Sequence, residues 1–177
     1  MASTARKVII SNQGVGYTSP PPVVLSSEPY LARAEISRFS FNDFTTRGTW
    51  LIDRMRKIWP DLTERNTFGW LRNCIDSKEY HFTKTDRAVL MGIVTSVQLT
   101  IAPRVEEIFV FVDDPSDPIA QAHGALLYRD LRTWAMTCGA SEILVANHSD
   151  VHEAFMEFAL GEILQRDISF VKLRHAT

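Results

Sequence analysis

The most constraining feature of the sequence is an apolar run at residues 108–112 that is followed by a helical pattern and a second apolar run. The first run is nearly continuous, as in a strand that is covered on both faces. Asp117 is a good helix N-cap, Pro118 is a good first helical residue, and apolar residues then recur at helical spacing. Gly139 suits the left-handed conformation that ends a helix, and residues 142–146 predict a buried strand. The segment therefore predicts a β-α-β crossover with a helix packed on a sheet.

Segments on both sides of this crossover predict further strands of the same sheet. Residues 80–83 and 88–101 alternate with a period of two, which predicts an antiparallel meander that ends in residues 105–112. Residues 34–41 alternate in the same way and predict an earlier strand. Residues 163–173 predict the last strand.

Capping residues and helix breakers mark the remaining helices. Asn42 can cap a helix that Pro60 ends, and Thr63 can cap a second helix. Ser149 or Asp150 can cap the last helix. The predicted order is therefore β, α, α, β, β, β, α, β, α, β. This order describes an α/β fold whose mixed sheet carries helices on both faces.

The sequence predicts one domain at residues 31–177 and an extended arm at residues 1–30. A length of 177 residues suits one domain, and 45% hydrophobic and 23% charged residues are ordinary for a globular protein. The arm differs, because the triple proline at residues 20–22 favours polyproline II and excludes a helix. It cannot bury a core of its own, so we expect it to be extended and ordered only against something else.

Composition disfavours several classes of function. The net charge of −2 gives no electrostatic reason for nucleic-acid binding. No apolar run reaches the length of about 18 residues that a membrane helix needs, and no signal peptide is evident, so we expect a cytoplasmic protein without membrane contact. His148 and His152 could share a helical face, but no third ligand is evident, so we expect no metal.

The order of the elements, together with three local segments, resembles the GNAT superfamily of acetyl-CoA-dependent N-acyltransferases. These segments are the strand at residues 105–112, the helix at residues 124–135 and the stretch at residues 139–147. The resemblance covers residues 31–173 in outline. It implies that acyl-CoA binds where the long helix begins, because family members hold the CoA pyrophosphate on backbone N–H groups there. The residues to which it assigns this role are Val112, Gln121, Ala122, His123, Gly124 and Asn147.

The family's phosphate-binding pattern is Gln/Arg-x-x-Gly-x-Gly/Ala, and the chain departs from it in either register. If Gln121 and Gly124 are matched, Leu126 stands where a small residue belongs. If the apolar positions of the helix are matched, Gly124 takes the last position, Ala122 takes the middle one, and Ile119 replaces the Gln/Arg.

Charge also opposes a diphosphate at this place. Asp113, Asp114 and Asp117 surround the start of the helix, and no Lys or Arg occurs between Glu106 and Tyr128. If Asp117 is the N-cap, its carboxylate already occupies donors that a phosphate would need. We therefore expect a degenerate site without a bound cofactor; acetyl-CoA is the cofactor that the resemblance implies if the site is active.

The family's catalytic tyrosine has no equivalent on the last helix. Many GNAT enzymes place a general acid four residues before a Gly-Phe pair, and matching on Gly161 puts Glu157 there. Glu106 or Glu107, at the start of a central strand, could instead act as a general base through water. We expect His123 to be a packed helix residue.

The arm carries a second resemblance. Its stretch from Gly14 to Leu25 looks like the Gly-x-Gly-Tyr-x-x-x-Pro-x-Val segments of structural proteins in tailed phages. Such a ribbon can add to the sheet edge of another subunit. The residues expected to bind a partner are Val8, Ile9, Ile10, Tyr17, Pro20, Val23, Val24 and Leu25.

Two functions follow from these observations. The first is a GNAT-like assembly protein, made in the cytoplasm and incorporated into a phage virion, which contacts other protein subunits through residues 1–30. The alternative is an active acetyl-CoA-dependent N-acetyltransferase that acts on an amine of a small molecule or protein. The departure from the family's phosphate-binding pattern and the presence of the arm favour the assembly protein.

Overall fold

A computed structural model of the chain describes residues 4–9, 34–96, 103–140, 142–146, 149–160 and 163–169. Its strands and helices, in chain order, are β1 (Thr4–Ile9), β2 (Ser37–Arg38), α1 (Phe41–Ile58), α2 (Glu64–Asp76), β3 (Tyr80–Lys84), β4 (Ala88–Thr95), β5 (Arg104–Val112), α3 (Pro118–Thr137), β6 (Glu142–Ala146), α4 (Glu153–Leu160) and β7 (Ile163–Ser169). From β2 to β7 these elements follow the order that the sequence predicts.

The strands form one mixed sheet in the order β2-β3-β4-β5-β6-β1-β7. Strands β2 to β5 form an antiparallel meander, and β5 pairs with β6 in parallel. Helix α3 is the crossover between these two parallel strands. The prediction of a mixed sheet that contains a meander and a β-α-β unit is confirmed.

Strand β1 changes the expected organisation of the arm. It lies between β6 and β7 and is antiparallel to both, with Ala5 opposite Ala146 and Val8 opposite Ile143. The beginning of the arm is therefore extended, as expected, but the strands that it pairs with are in its own chain. The domain includes residues 4–9 as well as the part after residue 30, because backbone hydrogen bonds to two strands hold this segment in the sheet.

Helices pack on both faces of the sheet. Along β4, Ala88 and Leu90 contact the core under α3 and α4, whereas Val89 and Met91 contact the core under α1 and α2. This division follows from the alternation of side chains along a strand. The second core is rich in aromatic residues, and its largest members are Phe39, Phe82, Phe109 and Phe111.

Helix α3 begins and ends as its sequence predicts. Asp117 is its N-cap, Pro118 is its first residue, and Gly139 has a φ of +73° just beyond its end. Thr63 is the N-cap of α2, which is also confirmed.

Three other boundaries differ from the prediction. The N-cap of α1 is Ser40 and not Asn42, because the backbone N and the Oγ of Ser40 both lie 2.7 Å from Asp43 Oδ2. Helix α4 begins after His152, so neither Ser149 nor Asp150 caps it. The first predicted strand is reduced to Ser37–Arg38.

Candidate functional site

Strand β5 contains a β-bulge in its middle. Gly92 of β4 pairs with Glu107 of β5, and Met91 pairs with Phe109, so Ile108 is an extra residue on β5. A bulge bends its strand and increases the local twist. It also explains why Glu107 faces α3 while Phe109 lies in the core under α1 and α2.

The bulge lies where β5 stops pairing with β6. Among the described residues, the parallel ladder joins Val105 to Ile143 and Glu106 to Leu144, whereas β5 continues to Val112. Beyond Glu106 the described residues of β6 no longer pair with β5, so the backbone groups on this side of β5 need other partners. We call this region, together with the adjoining start of α3, the splay cleft.

A buried carboxylate and a tyrosine hydroxyl lie inside the splay cleft. Tyr128 of α3 donates a hydrogen bond to Glu107 Oε2 at 2.6 Å, and its hydroxyl lies 2.9 Å from Ser149 Oγ. Glu107 is 6% exposed, and Tyr128 is fully buried. A carboxylate and a phenol at this distance are groups that can exchange a proton with a bound reactant. Sequence reasoning named Glu107 but missed Tyr128.

Glu106 lies on the opposite face of β5. Its Oε1 accepts hydrogen bonds from Arg104 Nε at 2.8 Å and from Thr95 Oγ1 at 3.1 Å, and about a third of its side chain is exposed. The structure therefore separates the two predicted bases and places Glu107 alone in the splay cleft.

Asp150 binds the backbone of β5 beyond the bulge. Its amide donates to Val110 O at 3.0 Å, and its Oδ2 accepts from Val112 N at 3.2 Å. Arg54 of α1 lies 3.1 Å from the same oxygen and also donates to Val112 O at 3.2 Å and to Asp113 O at 3.1 Å. These backbone groups, which an extended ligand in the cleft would need, already have partners in the chain.

One of the first amides of α3 is also engaged. Asp117 Oδ1 accepts a hydrogen bond from Ile119 N at 2.8 Å, and Pro118 has no N–H to offer. The predicted internal cap at the helix start is confirmed.

Arginines from distant segments neutralise the acidic residues around this helix start. Arg87, in the turn before β4, pairs with Asp117, and Arg47 of α1 lies 3.6 Å from Asp113. Arg54 supplies a third guanidinium, with 19% of its side chain exposed. Sequence reasoning found no cation in the helix segment itself, and it missed these three because they come from other elements.

Gln121 ties together the two loops that flank the cleft. It is 1% exposed, and its Nε2 donates to Pro115 O at 2.9 Å and to Asp150 O at 2.8 Å. Its Oε1 accepts from His152 N at 2.8 Å. All of these contacts are structural, so Gln121 has an architectural role at the position expected to bind a cofactor.

Gly124 permits close packing of α3. A Cβ at this position would lie 2.3 Å from Val151 Cγ2 and 3.1 Å from Val112 Cγ1. Val112 and Ala122 are buried. Asn147, the last residue expected to bind a cofactor, lies outside the described residues, as do Ile10, Tyr17, Pro20, Val23, Val24 and Leu25 of the arm.

His123 is packed against the turn before β4. It is 7% exposed, and its Nδ1 lies 2.9 Å from Thr85 Oγ1. Burial lowers its pKa below the ordinary value of 6.5. Within the described residues, no group of three or more His, Cys, Asp or Glu side chains could hold a metal ion.

Comparisons with known proteins give no family assignment. The chain matches no protein-family model, and neither curated proteins nor solved structures match it. In the part of the chain that the structure describes, no helix combines the length and the apolar character that crossing a bilayer requires.

Proposed function

We propose that this chain is a GNAT-like assembly protein that does not bind acyl-CoA and that contacts other protein subunits of a tailed-phage particle through its N-terminal arm. The observation that supports the loss of cofactor binding is the internal occupation of the splay cleft. Asp150 takes the hydrogen-bonding groups of β5, and Asp117 takes an amide at the start of α3.

A diphosphate would compete with these two carboxylates for the same donors. Helix starts bind anions through unpaired N–H groups and the positive end of the helix dipole. Here the proline removes one N–H, the Asp117 cap uses another, and Arg87 is already paired with that carboxylate. At Ile119 N, binding would therefore exchange an internal anion for an external one, with no gain of a hydrogen bond.

Isothermal titration of the full chain with acetyl-CoA tests this part of the proposal. We expect no saturable heat at millimolar acetyl-CoA, which corresponds to a Kd above about 1 mM. A catalytically active GNAT enzyme, titrated in the same buffer, is the positive control. Micromolar binding by this chain would overturn the proposal and favour the transferase.

The docking role rests on residues 10–30, because residues 4–9 belong to the sheet. A variant that keeps β1 and replaces residues 10–30 by glycine and serine at equal length tests it. Thermal unfolding of this variant checks that the domain still folds. Phage particles are sedimented from lysates of infected cells, and the amount of the variant in them is compared with that of the unaltered chain. We expect the variant to be absent from the particles, whereas equal incorporation would contradict docking.

One observation favours the alternative, an N-acetyltransferase acting on an amine. The buried pair formed by Glu107 and Tyr128 places a proton acceptor and a proton donor together in the splay cleft. An enzyme would release CoA from acetyl-CoA in the presence of an amine acceptor, and Glu107→Gln would slow that release. Our proposal expects no release with amines or acylatable peptides.

A further inference from the structure

A second cleft lies at the edge of the sheet. Its volume is about 370 Å³. Residues of β2 and β3, the loop before β3 and the last turns of α3 form it, namely Arg38, Lys78, Tyr80, His81, Thr83 and Trp134. Trp134 follows Asp117 by 17 residues along α3, so about 25 Å of helix separates this cleft from the capped helix start. We call it the edge cleft.

One wall of the edge cleft is fixed by an aromatic stack and a hydrogen bond. The rings of His81 and Trp134 stack with centroids 4.9 Å apart and planes 19° apart. His81 Nε2 lies 2.7 Å from Asp130 Oδ2. Both aromatic side chains are therefore held in place before any ligand arrives, which lowers the entropy cost of binding.

Thr83 contributes hydrogen-bonding capacity that the described structure leaves unused. It is 5% exposed, and it lies two residues after His81 on β3, so both side chains are on the face that carries α3. Its Oγ1 is buried and has no hydrogen-bond partner among the described residues. Buried hydroxyls in folded proteins are usually hydrogen-bonded, so this one indicates a missing partner.

Two cationic side chains, Arg38 and Lys78, line the edge cleft. One carboxylate lies just behind its wall, because Asp130 contacts the lining residue His81. The Arg38 guanidinium is held at the rim, because Nη2 donates to Ser77 O at 3.1 Å and to Tyr80 O at 3.5 Å. Arginine can still donate from its other N–H groups to a carboxylate or phosphate.

We propose that the edge cleft is a binding site for a small anion, a carboxylate or a phosphate monoester, whose oxygens contact Arg38 and Lys78. Thr83 donates its hydroxyl hydrogen to the ligand, and Trp134 packs against the carbon skeleton. The residues of this site differ from those of the splay cleft, so the proposal does not rest on whether acyl-CoA binds to the chain.

Nuclear magnetic resonance titration of the full chain tests the proposal, with phenyl phosphate and benzoate as separate probes. Trp134→Phe identifies the indole N–H signal of Trp134 among those of the four tryptophans. We expect saturable shifts of this signal and of the Thr83 amide. The probe that binds more tightly distinguishes a phosphate site from a carboxylate site.

Three variants decide whether the edge cleft produces these shifts. Arg38→Gln and Lys78→Gln should each raise the Kd by about tenfold, which corresponds to the loss of one charged contact. Thr83→Val keeps the shape and should raise the Kd several-fold without lowering the melting temperature. Arg129→Gln, which removes an exposed cation of α3 outside the cleft, is the matched control. Shifts that do not saturate for either probe, or that are equal in Arg38→Gln and Arg129→Gln, would overturn the proposal.

Discussion

Replacing Asp150 by alanine should destabilise the chain by about 2–3 kcal/mol, because the side chain closes the splay cleft. Its Oδ2 accepts from Val112 N and from Arg54, and 19% of the side chain is exposed. A hydrogen bond to a charged group contributes about 1.5–3 kcal/mol, and two such bonds are lost. The expected loss is smaller than the sum of the two bonds, because the Asp150 side chain is partly exposed and because Arg54 keeps its two backbone acceptors.

The assay is urea unfolding followed by tryptophan fluorescence, with the slope against urea unchanged by the substitution. Asp150→Asn should cost less, about 1 kcal/mol, because the amide oxygen can still accept from Val112 N. Asp53→Ala is the matched control: its carboxylate is 63% exposed and lies 3.9 Å from Arg56, so the loss should stay within about 0.5 kcal/mol. Equal losses for Asp150→Ala and Asp53→Ala would refute the reasoning.

Three further predictions concern buried positions. Gly124→Ala should destabilise by about 1–2 kcal/mol, because crowding against Val151 exceeds the gain in helix propensity, and adding Val151→Ala should recover most of the loss in urea unfolding. The pKa of His123 is lowered in the folded chain, so as the pH falls the unfolded chain binds a proton at His123 before the folded chain does. The free energy of unfolding should therefore drop as the pH falls below about 6.5. Unfolding at pH 7.5 and pH 5.5 should show a smaller drop for His123→Asn, and an equal drop would contradict this. Burial raises the pKa of the Cys74 thiol to about 11, so a thiol reagent at pH 8 should label it only on unfolding. The test uses Cys138→Ala, which removes the other, less buried cysteine, and rapid labelling of that folded variant would contradict the prediction.

Local sequence signals were sufficient for much of the fold. Asp117, Pro118 and Gly139 mark the ends of α3 because capping depends on neighbouring backbone groups. The alternation of residues 80–83 and 88–101 predicted the meander, because every second residue of a strand lies on the same face. The N-cap of α1 is Ser40 and not the predicted Asn42. Both residue types can cap a helix and they lie two residues apart, so the sequence alone does not decide between them.

The splay cleft depended on contacts that the sequence does not show. The bulge at Ile108 leaves no mark in a run of apolar residues, although it decides that Glu107 faces α3. Arg54 and Asp150 are 96 residues apart, so their pairing follows from the fold and not from spacing. The same holds for β1, whose extended character was predictable but whose partners in the sheet were not.

In our proposal, the chain's own carboxylates occupy the donors that an acyl-CoA would need. The amide signals of Val112 and Ile119 in the ¹⁵N-labelled chain, titrated with acetyl-CoA to millimolar concentration, test this occupation most directly. We predict that both signals keep their positions, because Asp150 and Asp117 remain bound to them. Saturable shifts of both signals would contradict the claim and show that the cofactor displaces the two side chains.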